Sequence, residues 1–385
     1  MTWLDISKEI ERIKERGLYR KMRPYDSSQG PRVFSNGSSI INLSSNNYLG
    51  IAGSVELAEV AGNAIRDWGV GTSGSRLIGG TTRMHFDLEE EIASFKGEEA
   101  SLAFNCGYMA NVSTIPSLSG KEMTIYSDSL NHASIIDGCR LSKARVEIFK
   151  HGDLDELEKS IERYGNGMIV TDGVFSMTGE VAKLRKLRKI ADDYNLLLYM
   201  DDAHGTGILG KSGRGTADYF NVKVDINMGT LSKAVGVQGG FVASSKERID
   251  FLANTARGFI YSTAFPAAWA AAAIRGLELC KEEKRRKMLF HNVEYMREGL
   301  ESLDLGQNMN GIPTPIIPVV LGGNNRVVKV SELMFKRGVF CHPIRYPTVP
   351  PNKEMLRITL MATHKEEDLD FALGALKEAI KEVGL

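Results

Sequence analysis

The sequence is poor in proline and cysteine, has no excess charge of either sign and contains no long apolar segment. Of its 385 residues, 11 are proline and 4 are cysteine, and no two cysteines form a C-x-x-C pair. Cysteines spaced this widely in a chain of this length indicate reduced thiols and not a disulfide framework. Lysine plus arginine and aspartate plus glutamate both number 48. Without a positive surplus to hold a phosphate backbone, nucleic-acid binding is disfavoured.

Membrane-spanning and secretory segments are also lacking. The longest run of small apolar residues covers 264–274, contains Pro266 and stops at Arg275, whereas a membrane helix needs about 20 residues. The first 17 residues interleave acids and bases and include no apolar stretch of the secretory kind. We therefore expect a cytoplasmic protein without a membrane partner.

Glycine, in contrast, is abundant at 39 residues, which is typical of tight turns and close backbone contacts. Between about 46 and 270, apolar segments alternate with helical patterns. Continuous apolar runs such as MIV and LLLYM indicate strands buried on both faces. The alternation predicts an α/β fold with a mostly parallel central sheet flanked by helices. The predicted strands are Ala100–Phe104, Met123–Tyr126, Arg145–Phe149, Met168–Thr171, Leu196–Met200, Asp225–Asn227 and Gly240–Ala243.

Two other regions flank this large domain, which we assign to 46–270. Residues 3–16, including Trp3, are predicted to form an amphipathic helix. Residues 17–39 are expected to be irregular, and with the short strand Ile40–Leu43 they complete an N-terminal arm, 1–45. Residues 275–385 are predicted to form a smaller C-terminal α+β domain with a long charged helix at its start. Its other predicted elements are strands near Thr314–Val320, Gly338–His342 and Met355–Thr359 and a last helix, Glu366–Val383.

Gly69, Gly71 and Gly74 match the G-x-G-x-x-G pattern of dinucleotide-binding proteins. That pattern indicates a dinucleotide-binding site only where it follows a strand and begins a helix. The preceding segment, ELAEVAGNAIRDW, has helical periodicity instead. We therefore expect these glycines to end a helix, and we do not predict a dinucleotide site.

Two acids and a histidine follow a buried strand in LLLYMDDAHGTG, 196–207. In open α/β sheets ligands bind at the carboxyl ends of strands, and a buried acid there is costly unless it meets a cation. Asp201, the first acid, is a candidate partner for a protonated ring nitrogen. The alternative is a turn aspartate followed by a histidine, His204, at the surface.

A single lysine, Lys233, follows the next predicted strand in NMGTLSKA. A lysine in a water-poor site has a lowered pKa and can form a Schiff base, and Thr230 and Ser232 beside it are candidate phosphate contacts. The alternative is a solvated surface lysine, which the strand-end aspartate upstream disfavours.

Further candidates follow other strands. Gly107 and Tyr108 open a helix whose free N–H groups favour an anion, and His132 begins a helix where it can stack on a ring or move protons. Ser176 is a candidate contact for a ring hydroxyl, and Arg357 for a carboxylate. Each also has a plain alternative: an ordinary turn, a capping or core histidine, a surface arginine. Together they match what pyridoxal phosphate requires.

These motifs resemble the fold-type I pyridoxal-phosphate-dependent transferases, and within them the α-oxoamine synthase family. The resemblance covers nearly the whole chain and implies pyridoxal 5'-phosphate as cofactor, a homodimer, no metal, and condensation of an amino acid with an acyl thioester with loss of CO2. The matching motifs are SSNNYLG (44–50), GTSGSRLIGGTTRMHFDLE (71–89), FNCGYMAN, NHASIIDG, DGVFSMTGE, DDAHGTG, GTLSKAVGVQGG and FIYSTAFP.

Two segments point to one branch of the family. DDAHGTG and the segment IRYPTVP (344–350) are most similar to enzymes that join L-alanine to a pimeloyl thioester, carried by coenzyme A or a carrier protein, in biotin synthesis. Tyr346 stands where that branch has a proline, and this departure keeps the condensation of glycine with acetyl-CoA as an alternative. Ser232 replaces a commoner glycine and is small enough not to crowd Lys233.

The resemblance also implies a role for each matching residue. Lys233 corresponds to the lysine that binds the cofactor and removes a proton, Asp201 to the partner of the ring nitrogen, and His132 to the ring-stacking histidine, which also contacts substrate and supplies a proton. The other implied cofactor contacts are Gly107, Tyr108, Ser176, His204, Thr230 and, from a partner subunit, Ser262 and Thr263. The other implied substrate contacts are Asn47, Thr348, Arg357 and an arm arginine, Arg20 or, in a looser alignment, Arg23.

Overall fold

The N-terminal segment forms a helix and a hairpin in this computed structural model, which describes residues 4–20, 22–306 and 311–384. Helix α1 (Ile6–Glu15) begins after Asp5, whose side chain accepts a hydrogen bond from Lys8 N and so satisfies one free amide of the first turn. Trp3, which the sequence prediction included in this helix, lies outside the described residues.

Strands β1 (Arg32–Ser35) and β2 (Ser38–Asn42) pair antiparallel. The expectation of irregular structure over 17–39 is therefore wrong at β1. Asn36 and Gly37 both have positive φ, 51° and 76°, as a two-residue hairpin turn of the Asn-Gly type requires. That dipeptide is visible in the sequence and is the signal from which the hairpin follows.

The central sheet has seven strands in the order β3-β9-β8-β7-β6-β4-β5. Strands β4 to β8 run parallel, and β9 is antiparallel to both β8 and β3. The prediction of a mostly parallel sheet is confirmed. The strands are β3 (Ala100–Phe104), β4 (Thr124–Asp128), β5 (Arg145–Phe149), β6 (Gly167–Asp172), β7 (Leu197–Asp201), β8 (Ile226–Thr230) and β9 (Gly240–Ser244).

Helices connect these strands, as the alternating pattern predicts. The glycines of the G-x-G-x-x-G match do end a helix, because α2 stops at Trp68 and Gly69 follows with φ 76°. A π-helical turn, Arg76–Gly80, comes next. The helices are α2 (Val55–Trp68), α3 (Arg83–Lys96), α4 (Gly107–Ser117), α5 (Ala133–Leu141), α6 (Leu154–Tyr164), α7 (Leu184–Asp193), α8 (Thr216–Phe220), α9 (Lys246–Thr255), α10 (Arg257–Ile260) and α11 (Ala267–Cys280).

The C-terminal part builds a small sheet of its own, in the order β10-β13-β12. The segment predicted as one strand, Gly338–His342, is two strands separated at Cys341, because its halves join different sheets: β11 pairs with β2, and β12 with β13. The arm is thereby tied to the C-terminal part, and the division 1–45, 46–270 and 275–385 stays a proposal. The elements are α12 (Glu283–Glu301), β10 (Ile316–Val320), α13 (Asn324–Lys336), β11 (Val339–Phe340), β12 (His342–Ile344), β13 (Met355–Thr359) and α14 (Glu366–Val383).

The described residues contain neither a membrane-spanning helix nor a cluster of metal ligands. No helix in ranges 4–20, 22–306 or 311–384 is long and apolar enough to cross a membrane. Within the same ranges, no three histidine, cysteine or acidic side chains are grouped as metal ligands would be.

Candidate active site

A cavity of about 320 Å³ opens between the carboxyl ends of the sheet and the C-terminal part of the chain. Five residues that the sequence singled out line it: His132, Ser176, His204, Lys233 and Arg357. They come from segments after β4, β6, β7 and β8 and from β13 itself. Because parallel strands end at one edge of the sheet, segments far apart in sequence meet there.

Lys233 is half-buried and lies three residues beyond the end of β8. Burial lowers the pKa of its amine to about 8, against the opposing charges of Asp201 and Asp172, while the charge of Arg357 lowers it further. A lysine with such a pKa has a substantial neutral fraction near pH 8 and can act as a nucleophile or base. The half-buried position beside two buried acids disfavours the alternative of a solvated surface lysine.

Asp201 ends β7 and is buried. Its Oδ2 accepts a hydrogen bond of 2.7 Å from Asn111 Nδ2, and its Oδ1 accepts one of 2.9 Å from Ala203 N. Asn111 is held in turn by the Tyr199 hydroxyl, which donates to its Oδ1 at 2.7 Å. The carboxylate is therefore fixed in place. Asn111 stands within the FNCGYMAN motif, yet the sequence analysis gave it no role.

A second acid, Asp172, ends β6 close to Asp201. Burial and the charge of Asp201 raise its pKa well above the usual range, and its Oδ2 accepts a hydrogen bond of 2.9 Å from His132 N. Two buried carboxyls side by side favour ionisation of only one. Asp172 is the first residue of the DGVFSMTGE motif, but the sequence alone does not show that it lies beside Asp201.

His132 caps α5 and also lines the cavity. Its Nδ1 lies 3.3 Å from Ser134 N and 2.8 Å from Ser134 Oγ. Burial lowers the pKa of the imidazole, Asp201 opposes that shift and Lys233 adds to it. His132 is a capping histidine, as the alternative expected, and the same cap holds its ring beside the cavity. Its functional role stays a prediction.

His204 is buried, and its Nδ1 lies 2.6 Å from the Tyr48 hydroxyl. Burial, together with the charges of Lys233, Arg357 and His132, holds the pKa of His204 well below its ordinary value. The surface alternative for this histidine is wrong. Tyr48 belongs to the SSNNYLG motif and is a site residue that the sequence analysis missed.

Arg357 lies on β13 and is buried. Its Nε donates to the Ser176 carbonyl at 2.6 Å and its Nη2 to Asn46 Oδ1 at 3.2 Å. The surface alternative is excluded here as well. Asn47, which follows Asn46 in the sequence, accepts a hydrogen bond from Ala52 N at its Oδ1. The buried Nδ2 of Asn47 has no hydrogen-bond partner within the described ranges.

The predicted phosphate contacts lie at the carboxyl end of β8 and at the start of α4. A Cβ added to Gly107 would come within 3.4 Å of Thr230, so these two residues pack directly together. Thr230 Oγ1 lies 2.7 Å from Ser232 Oγ. Tyr108 is 44% exposed, and its hydroxyl contacts Asp137 and not the cavity.

Several other candidates lie away from the cavity of this chain. Ser262 and Thr263 sit beside the start of α4, where Asn105 Nδ2 donates to the Thr263 carbonyl at 2.9 Å. Thr348 is exposed in a turn. Arg20 is exposed too, but its charge is one of those that lower the pKa of the cavity residue His342, after burial and Arg345.

The other arm arginine has a different contact. The Arg23 guanidinium lies 4.3 Å from the centre of the Phe335 ring, which is a cation–π distance. A further cavity of about 390 Å³ lies beside His151 and Glu180, and none of the candidate residues lines it.

Known proteins resemble this chain over nearly its full length. The family model for class I and II aminotransferases matches residues 38–376. The 8-amino-7-oxononanoate synthase of Thermoanaerobacter pseudethanolicus is 45% identical over 390 residues, covering 99% of this chain and 98% of that protein. The synthase of the same name from Lysinibacillus sphaericus is 44% identical over 384 residues, with 98% of each covered.

Solved structures give the same picture. The serine palmitoyltransferase of S. paucimobilis with a bound PLP–myriocin aldimine has a TM-score of 0.93 and 26% identity, covering 98% of this chain and 97% of that one. The 8-amino-7-oxononanoate synthase of Francisella tularensis has a TM-score of 0.78 and 29% identity, covering 89% and 98%.

Proposed function

The chain belongs to the class I and II aminotransferase family, and from that premise we propose that it condenses L-alanine with a pimeloyl thioester. The products are 8-amino-7-oxononanoate, carbon dioxide and the free thiol, in biotin biosynthesis. One observation carries the proposal: relatives named for this synthase align with the chain almost from end to end.

Pyridoxal 5'-phosphate is the cofactor, and the donor set fits it. Lys233 offers an amine of lowered pKa for the aldehyde, and Asp201 a fixed carboxylate for the ring nitrogen. The start of α4 at Gly107 suits the phosphate. The Thr230 hydroxyl, which donates to the Gly239 carbonyl at 2.7 Å, would turn its hydrogen toward the phosphate on binding. When bound, the cofactor supplies an electron sink for a carbanion at Cα of the amino acid.

We assign the chain's own residues as follows. Asp201 holds a proton on the ring nitrogen, and His204 and Ser176 stand beside the ring hydroxyl. Arg357 binds the carboxylate of alanine, because its guanidinium is buried and oriented by the Ser176 carbonyl. Asn47 and Thr348 contact substrate, and Arg20, whose charge reaches His342, does so at the mouth of the cavity.

Protons and bonds balance around these groups. Lys233 in its neutral form takes the proton from Cα of alanine, and Cα bonds to the thioester carbonyl as the thiolate leaves. His132 donates a proton to the oxygen that gains charge in this step and takes it back when the carbonyl re-forms and expels the thiolate. The thiolate takes up a proton from solvent to give the free thiol. The original carboxylate then departs as carbon dioxide, and Lys233 returns a proton to Cα.

A homodimer is part of the proposal. Ser262 and Thr263 do not line the cavity of their own chain, and we propose that they contact the phosphate held by the second subunit, with Tyr108 beside it. The cytoplasmic location expected from the sequence stays a prediction.

The test is a comparison of acyl donors on purified, cofactor-loaded protein. We expect thiol release with L-alanine and pimeloyl-CoA to exceed that with glycine and acetyl-CoA by at least about tenfold in kcat/KM. A pimeloyl carrier protein serves as a third donor, and Lys233→Ala as the inactive control. Preference for glycine and acetyl-CoA would overturn the proposal and leave the fold and the lysine chemistry unchanged.

A further inference from the structure

The hydroxyl of Tyr48 lies within hydrogen-bond distance of two residues that line the cavity, His204 and Asn46. Tyr48 lies in the turn after β2, and its ring is fully buried. Its hydroxyl is 2.6 Å from His204 Nδ1 and 3.1 Å from Asn46 Oδ1. Burial raises the pKa of this hydroxyl to about 12, against the opposing charge and hydrogen bond of Arg357. Tyr48 therefore stays protonated and has one hydrogen to donate.

His204 has one hydrogen as well. The charged or titratable groups that face it are the cations Lys233 and Arg357, the imidazole of His132 and the Tyr48 hydroxyl. Burial and the neighbouring positive charge keep the ring neutral, so its proton lies on either Nδ1 or Nε2.

The hydrogen-bond network selects one of these tautomers. Arg357 has only donors, and its Nη2 donates to Asn46 Oδ1 at 3.2 Å, so this oxygen has a partner besides Tyr48. The separation of 2.6 Å between the Tyr48 hydroxyl and His204 Nδ1 is shorter than N–H···O hydrogen bonds are and falls in the range of bonds that a hydroxyl donates. The shorter contact of this hydroxyl is to His204 Nδ1 and not to Asn46. Tyr48 therefore donates to Nδ1, and the histidine proton lies on Nε2.

We infer that Tyr48 is a positioning residue, which fixes His204 in the tautomer protonated at Nε2 and so turns a neutral N–H donor toward the cofactor's ring oxygen. The inference rests on the proposed place of His204 beside that oxygen. His204 lines the cavity, and its Nδ1 is taken by Tyr48, so Nε2 is the nitrogen left for a ligand.

The tautomer matters chemically. A neutral N–H donor stabilises an anionic oxygen without offering it a full proton, whereas the opposite tautomer would turn a lone pair toward the same oxygen. Asn46 Oδ1 lies within hydrogen-bond distance of both Arg357 Nη2 and the Tyr48 hydroxyl. These contacts link the group proposed to bind the substrate carboxylate with the group proposed to face the ring.

The first experiment observes the wild-type network and uses a variant only to assign signals. In solid-state ¹⁵N NMR of the cofactor-loaded enzyme, labelled at its seven histidines, the His204→Gln variant identifies the signals of His204. We expect a neutral ring with the proton on Nε2. A proton on Nδ1, or a charged ring, would overturn the inference. No substrate is present, so this outcome is independent of the acyl-donor test.

The second experiment removes the hydroxyl. In Tyr48→Phe we expect a mixture of His204 tautomers and a shift to higher pH of the midpoint at which the cofactor's absorbance changes, because the anionic oxygen loses its donor. We expect kcat to fall about tenfold, which corresponds to about 1.4 kcal/mol.

The matched control is Tyr126→Phe. Tyr126 is equally buried, but its hydroxyl donates to the Gly165 carbonyl at 2.7 Å, away from the cavity. We expect its absorbance midpoint and kcat to equal those of the wild type. If Tyr48→Phe keeps the single tautomer and the wild-type midpoint, Tyr48 has only a packing role and the inference fails.

Discussion

Lys96 Nζ lies 2.8 Å from Asp202 Oδ2, and neither side chain is exposed at all. The lysine also donates to the Arg214 carbonyl at 2.6 Å, and the Thr216 hydroxyl donates to Asp202 Oδ1 at 2.6 Å. Asp202 follows Asp201 directly in the sequence, yet the two carboxylates have different partners and different roles. Asp202 is paired with a buried lysine, whereas Asp201 accepts its hydrogen bonds from the neutral groups Asn111 Nδ2 and Ala203 N.

We predict that this ion pair determines stability and not chemistry. Lys96→Met leaves an unpaired buried carboxylate and should lower the free energy of unfolding by about 3–5 kcal/mol, while kcat of the folded enzyme stays near the wild-type value. The double variant Lys96→Met/Asp202→Leu should regain part of the loss. Urea unfolding followed by circular dichroism measures both.

Asp201→Asn provides the contrast. Its stability should change little, whereas kcat should fall by roughly 10²–10³-fold, the usual cost of losing one oriented charge in an active site. If the two acids exchange these phenotypes, the assignment of Asp201 to the ring nitrogen is wrong.

The lowered pKa of Lys233 has a kinetic consequence. In cofactor-free protein, only the neutral amine attacks the cofactor's aldehyde, and burial holds the pKa of that amine to about 8. The rate of cofactor attachment should therefore rise with pH up to about 8 and then level off. Stopped-flow absorbance measures this rate, with Lys233→Arg as the control that forms no covalent band. A rate still climbing at pH 10 would indicate an ordinary solvated lysine.

A second ionic cluster makes stability depend on pH. His151 Nδ1 lies 3.0 Å from Asp128 Oδ1, and its Nε2 lies 3.2 Å from Glu180 Oε2. Burial opposes the charge on the imidazole, but its hydrogen bonds to Asp128 and Glu180 outweigh burial and raise the pKa to about 9. A histidine pKa raised on folding stabilises the protein fully below about pH 6.5 and loses that effect as the pH rises through about 9.

We therefore expect the wild type to lose roughly 1–2 kcal/mol more than His151→Gln between pH 6.5 and 9.5, a value reduced by the partial exposure of Glu180. Thermal unfolding across this range measures the difference. His291→Gln is the matched control, because His291 also pairs with a glutamate but is 61% exposed. Parallel pH profiles for all three proteins would contradict the prediction.

Hybrid dimers test whether Ser262 and Thr263 serve the neighbouring subunit. One subunit carries Lys233→Ala and the other carries Ser262→Ala/Thr263→Ala, and the hybrid is purified through two different tags. If the hydroxyls act across the interface, one site of the hybrid is intact and about half of the wild-type activity per dimer returns. If they act within their own chain, both sites are damaged and the hybrid is as weak as the parent variants.

The sequence predicted the strands of the central sheet well. The central strands β6, β7 and β8 are almost completely buried, and residues covered on both faces form the continuous apolar runs by which such strands are recognised. The two edge strands, Ala100–Phe104 and Arg145–Phe149, have the predicted bounds as well. The hairpin strand β1 and the divided segment around Cys341 were not predicted correctly. The hairpin has a local signal in Asn36 and Gly37. The division at Cys341 depends on which strand each half pairs with, and local pattern does not carry that information.

The sequence identified five of the residues that line the cavity. It did not identify Tyr48 and Asn111, which fix the orientation of other site residues. Tyr48 and His204 are 156 residues apart, Asn111 and Asp201 are 90, and Arg357 and Ser176 are 181. Each pair meets only because the sheet brings distant strand ends together. A sequence pattern identifies the acid or the histidine, but the partner that fixes its orientation is found only in three dimensions.

The pairing of β2 with β11 sets an order of events during synthesis. Ser44, just after β2, bonds to His342, and 298 residues separate the two. At roughly 5–20 residues per second, the ribosome needs about 15–60 s to bridge that interval. During this time one edge of the hairpin is uncovered, because the first eighth of the chain pairs with a strand that lies in the last eighth.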